Sequence, residues 1–189
     1  MYDALFMSLE IAEKKSKILE KYELRQKKYY LLTVHRPENT DDKENLGNIL
    51  KAAGNLDHEV IFPIHPRTQK MLKIFNLDSL EYFQNVKLID PVSYFDILML
   101  EKNAIKILTD SGGIQKEAYF FKVPCITLRN ETEWIETVKS GWNVNVNSNV
   151  EQVISAIKKT EPTSPQPDVF GNGKAAENIL KFITDSCFV

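Results

Sequence analysis

Apolar residues gather in short runs along the chain, at Tyr29–Val34, Val60–Ile64, Val86–Ile89, Ala104–Thr109, Cys125–Leu128 and Trp142–Val146. Each run is a few residues long and bounded by polar or turn-forming residues, which is the pattern of buried strands. Between the runs, apolar positions recur at helical spacing over Lys43–Leu56, Pro66–Phe75, Tyr94–Glu101, Ile114–Phe121, Glu133–Lys139 and Val150–Lys159. Strands alternating with helices make βαβ units and a parallel sheet. Val60–Ile64 and Ala104–Leu108 are almost wholly apolar, as strands are when helices cover both faces. The pattern predicts an α/β fold, a Rossmann-like doubly wound parallel sheet. At the N-terminal end, Leu5, Leu9, Ala12, Ile18 and Leu19 among Lys and Glu predict one leading helix over residues 1–27 with a solvated basic face. Glu161–Gly173 carries Pro162, Pro165, Pro167, Gly171 and Gly173 and reads as an irregular surface crossing, after which a helix over 174–185 closes the chain.

Composition narrows the class. With 189 residues, 43% of them hydrophobic, the chain suits a single domain spanning 1–189. A net charge of −2 gives no global attraction to nucleic acid or to an anionic membrane, so neither is expected as a partner and any phosphate binding must be local. No apolar run approaches the roughly 20 residues that span a bilayer, and the N-terminus lacks a signal-peptide pattern, so the expected location is the cytoplasm. Cys125 and Cys187 have neither metal-ligand spacing nor a disulfide framework and are expected to be inert.

Ligands of doubly wound sheets lie outside the carboxyl ends of the strands. Three polar clusters fall there: His35-Arg36-Pro37-Glu38-Asn39, His65-Pro66-Arg67 and Asp110-Ser111-Gly112-Gly113. The last is the most telling. A strand that ends in Ser-Gly-Gly and runs straight into a helix offers backbone N–H groups to an anion at the positive end of the helix dipole. About one helical turn beyond Gly113, Glu117 returns to the same face. A carboxylate there repels phosphate but suits sugar hydroxyls, so the pair reads as a phosphosugar or nucleotide site. His35 either caps its loop or, being donor and acceptor near neutral pH, holds a phosphate or moves a proton. Arg36, Glu38 and Asn39 follow it at once, and so many polar groups need partners. His65 repeats the position one βα unit later, with Pro66 suited to the first helical residue. Asp110 alone is a poor metal cage and is expected to hydrogen-bond structurally, so no metal is expected. In Glu131-Thr132-Glu133-Trp134, Thr132 can cap a helix, and Trp134 is either core or substrate-facing.

Taken in order, Thr33–Asn39, Pro63–Arg67, Leu108–Ala118 and Leu128–Trp134 resemble the motifs of the non-hydrolysing UDP-N-acetylglucosamine 2-epimerases, covering the C-terminal half of the family pattern. The resemblance implies the C-terminal, nucleotide-binding domain of a two-domain GT-B architecture, with the N-terminal domain absent from this sequence. It implies that Ser111 and the backbone of Gly112 and Gly113 hold the diphosphate, and that Glu117 holds the ribose. His35, as a catalytic candidate, and His65 would lie near diphosphate and sugar, with Arg36, Glu38 and Asn39 in the loop facing the ligand. Val92 and Ile97, in the loop Asp90–Ile97, would border the uracil. The implied reaction interconverts UDP-N-acetylglucosamine and UDP-N-acetylmannosamine through loss of UDP from C1 and its re-addition. It needs no cofactor. The family takes its main acid/base carboxylates from the N-terminal domain, so the chain would be incomplete as a catalyst alone, and a homodimer is the expected assembly. Trp134 stands where bacterial members typically carry arginine. That resembles archaeal members and epimerases of diacetamido uronic acid sugars; a donor-binding domain of a GT-B glycosyltransferase is the further alternative.

Overall fold

The computed structural model describes residues 2–79, 83–162, 165–171 and 173–186. Cys187 and parts of the Glu161–Gly173 crossing lie outside the described residues. The chain forms α1 (Tyr2–Lys15), α2 (Ile18–Lys21), β1 (Tyr29–Thr33), α3 (Pro37–Thr40), α4 (Lys43–Gly54), β2 (Glu59–Pro63), α5 (Pro66–Phe75), β3 (Val86–Ile89) and α6 (Tyr94–Asn103). It continues with β4 (Ile107–Thr109), α7 (Gly112–Phe120), β5 (Cys125–Leu128), α8 (Ile135–Lys139), β6 (Asn143–Val146), α9 (Val150–Lys159) and α10 (Ala175–Ser186).

The six strands lie in the order β3-β2-β1-β4-β5-β6, and every pairing is parallel. This is the doubly wound sheet that the alternating pattern predicts. β1 is central and all of its residues are buried, which is why Tyr29–Thr33 shows no polar alternation. Tyr30, Leu32 and Val34 face one layer with Leu46, Ile49 and Leu50 of α4 and Val153 and Ile157 of α9. Tyr29 and Leu31 face the other with Ile18, Leu100 of α6 and Ala118 of α7. Cys125 is buried in this second layer, and burial pushes its thiol up to about 12. Iodoacetamide at neutral pH should therefore leave Cys125 unmodified in the native protein and label it in urea, as read by peptide mapping; labelling at equal rates would contradict the burial.

The leading helix is not continuous. α1 stops at Lys15 because the hydroxyl of Ser16 accepts from the N–H of Ile18 at 3.3 Å and donates to Asp96 at 2.6 Å, a local alternative to the helical ladder. α2 restarts for one turn, and the chain then bends through Glu23 and Lys27, both at positive φ. α1 packs through Leu5 and Ala12 against Leu98 of α6. The helix expected over Glu133–Lys139 starts at Ile135, because Glu133 is drawn to Arg129 instead.

Candidate functional site

The strand order reverses between β1 and β4, whose ends lie side by side with Thr33 in register with Thr109. Their hydroxyls share a hydrogen bond of 2.7 Å. Above this seam the loops after both strands are tied together by one side chain. The fully buried Asp110 accepts from the N–H of His35 at 3.1 Å, the N–H of Arg36 at 2.9 Å and Nδ2 of Asn39 at 3.1 Å. Nδ1 of His35 lies 3.5 Å from Asp110 Oδ1. The structural part expected of Asp110 is thus observed. Asn39 is buried and its amide nitrogen also donates to the Leu128 carbonyl at 3.0 Å, so this side chain braces the loop.

Ser111 stands just before α7, and its side chain makes no capping hydrogen bond. The first-turn N–H groups of a helix have no acceptor within it, so those at Gly112 and Gly113 face the rim unpaired by the helix. A Cβ on Gly112 would come within 3.2 Å of Glu133 Oε2, so glycine there lets the Glu133-Trp134 loop close over the turn. Trp134 seals that contact by donating Nε1–H to the Gly112 carbonyl at 2.7 Å. Its ring carries the Lys116 ammonium 4.2 Å from the centroid and meets Phe170 edge-on. Arg129 is buried beneath the loop and donates from Nη1 to both oxygens of Glu133, at 2.8 and 2.9 Å. Arg36 lies 3.6 Å from Glu133, and Glu38 lies 3.8 Å from Arg129. Hydrogen bonding from Arg129 holds the Glu133 carboxyl below the usual carboxylate range. Arg129→Met would take the cation from Glu38 and Glu131 and leave Glu133 with Arg36 at 3.6 Å. Urea unfolding should report a loss of about 2 kcal/mol, and a loss under about 0.5 kcal/mol would contradict this account.

His35 and His65 meet with ring centroids 5.6 Å apart. Both line a cavity of about 200 Å³ together with Val92, Ile97 and Ile114. Residues from four separate rim segments therefore share one small chamber beside the glycine turn. His65 also caps α5, its Nδ1 accepting from the Arg67 N–H at 3.2 Å. Glu117 points away from solvent and accepts from the Tyr94 hydroxyl at 2.8 Å. Burial raises the Glu117 carboxyl above its ordinary range, opposed by the hydrogen bond from Tyr94. Tyr94, Glu101, Arg129 and Glu133 are the groups that the sequence reading did not single out as site residues. Tyr94 had a readable signal, since Ser93 caps α6 and Ser93-Tyr94-Phe95-Asp96 has the spacing of a capped helix start at the rim. Among the described residues no group of three or more His, Cys, Asp or Glu is placed to hold a metal, and no helix is long and apolar enough to cross a membrane. A larger hollow of about 600 Å³ lies beside β6 and α9 but contains none of these rim loops.

A parallel sheet that reverses order beside a glycine-bearing strand-to-helix turn, with polar loops gathered above it, defines a Rossmann-like ligand-binding α/β domain. A family model described as UDP-N-acetylglucosamine 2-epimerase matches residues 1–184. The chain belongs to that family. A UDP-N-acetylglucosamine 2-epimerase homolog of Methanococcus maripaludis is 50% identical over 97% of this chain and 52% of its own length. The UDP-2,3-diacetamido-2,3-dideoxy-D-glucuronate 2-epimerase of Pseudomonas aeruginosa is 37% identical over 82% of this chain and 44% of its own length. The crystal structure of Methanocaldococcus jannaschii UDP-GlcNAc 2-epimerase in complex with UDP-GlcNAc and UDP is similar with a TM-score of 0.84 at 45% identity, covering 97% of this chain and 52% of that one. The chain spans about half the length of the relatives it matches.

Proposed function

We propose that this chain is the C-terminal, nucleotide-binding domain of a two-domain GT-B epimerase that interconverts UDP-N-acetylglucosamine and UDP-N-acetylmannosamine. The observation that carries the reading is the switch-point rim, where the Ser111-Gly112-Gly113 turn, Glu117 on the same helix and the His35–His65 chamber adjoin. In this reading the Ser111 hydroxyl and the N–H groups of Gly112 and Gly113 bind the diphosphate, where the helix dipole favours negative charge. Glu117 accepts from the ribose hydroxyls and Val92 and Ile97 border the uracil. His35 and His65 face the diphosphate and the sugar, with His35 as the group able to move a proton, while Arg36 and Glu38 line the approach and Asn39 braces it. Trp134 closes the sugar end of the turn.

The reaction removes the proton at C2 to a base while the C1–O electron pair leaves with UDP, giving a glycal. UDP oxygen then re-adds at C1 as C2 takes a proton from the opposite face. This chain's share is to stabilise the departing diphosphate with fixed N–H dipoles and imidazole. The carboxylates that move the C2 proton belong to the N-terminal domain in this reading, whether joined in one chain or supplied by a separate one. The closing helix supports a further partner: Ile179, Leu180, Phe182 and Ile183 of α10 are all more than half exposed and follow helical spacing. We assign that stripe to the second domain. No metal or organic cofactor is required by elimination and re-addition, the cytoplasm is the proposed location, and a homodimer the proposed assembly.

The runner-up is the diacetamido uronic acid epimerase, favoured by Trp134 and by the similarity to the Pseudomonas aeruginosa enzyme. Co-expressing the chain with the N-terminal half of the Methanococcus maripaludis relative, and offering each UDP-sugar in turn, separates the two. The main reading expects negligible turnover by the chain alone and epimerised UDP-N-acetylglucosamine from the pair. Turnover by the chain alone at the rate of a full two-domain enzyme contradicts it, and activity of the pair only on the diacetamido sugar selects the runner-up.

A further inference from the structure

Lys116 follows Gly112 by four residues on α7, so the two share one face of the helix, and a helical side chain leans back toward the N-terminal turn. What its ammonium meets there is aromatic. It lies 4.2 Å from the ring centroid of Trp134, 4.5 Å from that of Phe170 and 6.0 Å from that of Tyr2. Trp134 and Phe170 stand edge to face with centroids 5.8 Å apart. Among the described residues the ammonium has no ion pair and no hydrogen bond, so its charge acts on the rings. The rings come from segments far apart in sequence, the Glu133-Trp134 loop, the crossing that carries Phe170 and the start of α1.

Trp134 carries the effect onward. Its Nε1–H donates to the Gly112 carbonyl at 2.7 Å, at the short end for an N–H···O bond. That carbonyl belongs to the same planar peptide unit as the N–H of Gly113, a first-turn group with no acceptor inside the helix. A hydrogen bond accepted at the oxygen of a peptide unit polarises it and strengthens the donor at its other end. A cation over the indole face draws electron density from the ring and strengthens the indole N–H in the same sense. We propose that Lys116 is a positioning residue of the nucleotide site, holding and polarising the Trp134 indole so that the Gly113 N–H is a fixed and strengthened donor to a diphosphate. The inference rests on the reading of the Ser111-Gly112-Gly113 turn given above. Lys116 needs no contact with the ligand; it acts through its neighbour.

UDP titrations of the 189-residue chain and its variants, with Kd read from amide shifts in NMR, test this. Lys116→Met keeps an apolar stem without the charge and should weaken UDP binding about fivefold. Lys116→Arg keeps a cation over the ring and should stay within about twofold of wild type. Trp134→Phe keeps a ring but loses the N–H, and should weaken binding about five- to tenfold. In the Trp134→Phe background Lys116→Met should cost less than about twofold further, because its effect passes through the indole N–H. Should Lys116→Met fold poorly, Lys116→Gln takes its place under the same expectation. Wild-type affinity in the Met or Gln variant, a loss in Lys116→Arg as large as in Lys116→Met, or an equal loss in both backgrounds overturns the inference alone. If wild type shows no saturable UDP binding, or binds UDP with the Gly113 amide unmoved, the nucleotide-site reading fails first and this inference with it.

Discussion

Asp110→Ala should cost the domain about 3–5 kcal/mol, a large share of the stability of a single domain. The fully buried carboxylate ties the N–H groups of His35 and Arg36 to the end of β4, and it also holds Asn39. Removing it takes this acceptor from the part-buried N–H groups of His35 and Arg36 and from the buried Asn39 amide, which keeps only the Leu128 carbonyl, and each donor left unpaired costs about 1–3 kcal/mol. The loss should appear in urea unfolding as a lower midpoint with an unchanged slope, and UDP binding should fall in parallel because His35 and the glycine turn lose their common anchor. A change below about 1 kcal/mol would show that other contacts hold the seam between β1 and β4.

Glu117→Ala should act oppositely, hurting binding far more than folding. Hydrogen bonds to a carboxylate contribute about 1.5–3 kcal/mol each, so losing the ribose contacts should raise the Kd for UDP roughly 30-fold or more. Stability should respond in the reverse sense. Burial raises the folded-state pKa of Glu117, so the folded protein binds the proton more tightly than the unfolded chain, and stability declines as pH rises through that folded value. Glu117→Gln, which does not titrate, should therefore gain on wild type between acid and neutral pH in urea unfolding while binding UDP less well. Equal UDP affinity in wild type and Glu117→Ala would remove the ribose role.

Much of this was legible along the chain. The strand positions, the α/β order and the convergence of three strand ends on one rim follow from run lengths and helical spacing, because burial on both faces leaves few polar residues in β1, β2 and β4. What escaped depends on contacts between distant residues. Nothing in Leu9–Leu19 announces that Ser16 would bond Asp96 across the fold and break the leading helix. Pro37–Thr40 is too short and polar to show periodicity, yet forms a turn of helix once Asp110 holds its start. Glu101 has the composition of a solvated helix end, Leu-Glu-Lys, yet is fully buried where α6 packs among α1, α2 and α7. Arg129 and Glu133 read as a strand end and a helix start; their pairing decides how the loop closes over Gly112.

The central claim is that UDP binds across the switch point, on the turn that opens α7. Amide chemical shifts of the 189-residue chain, followed by NMR during a UDP titration, test it most directly. The prediction is saturable change concentrated at Ser111, Gly112, Gly113 and Ile114, with His35 and the Val92 loop moving at the same Kd. Saturable shifts confined to the hollow beside β6 and α9, or no saturable shifts at millimolar UDP, would contradict it.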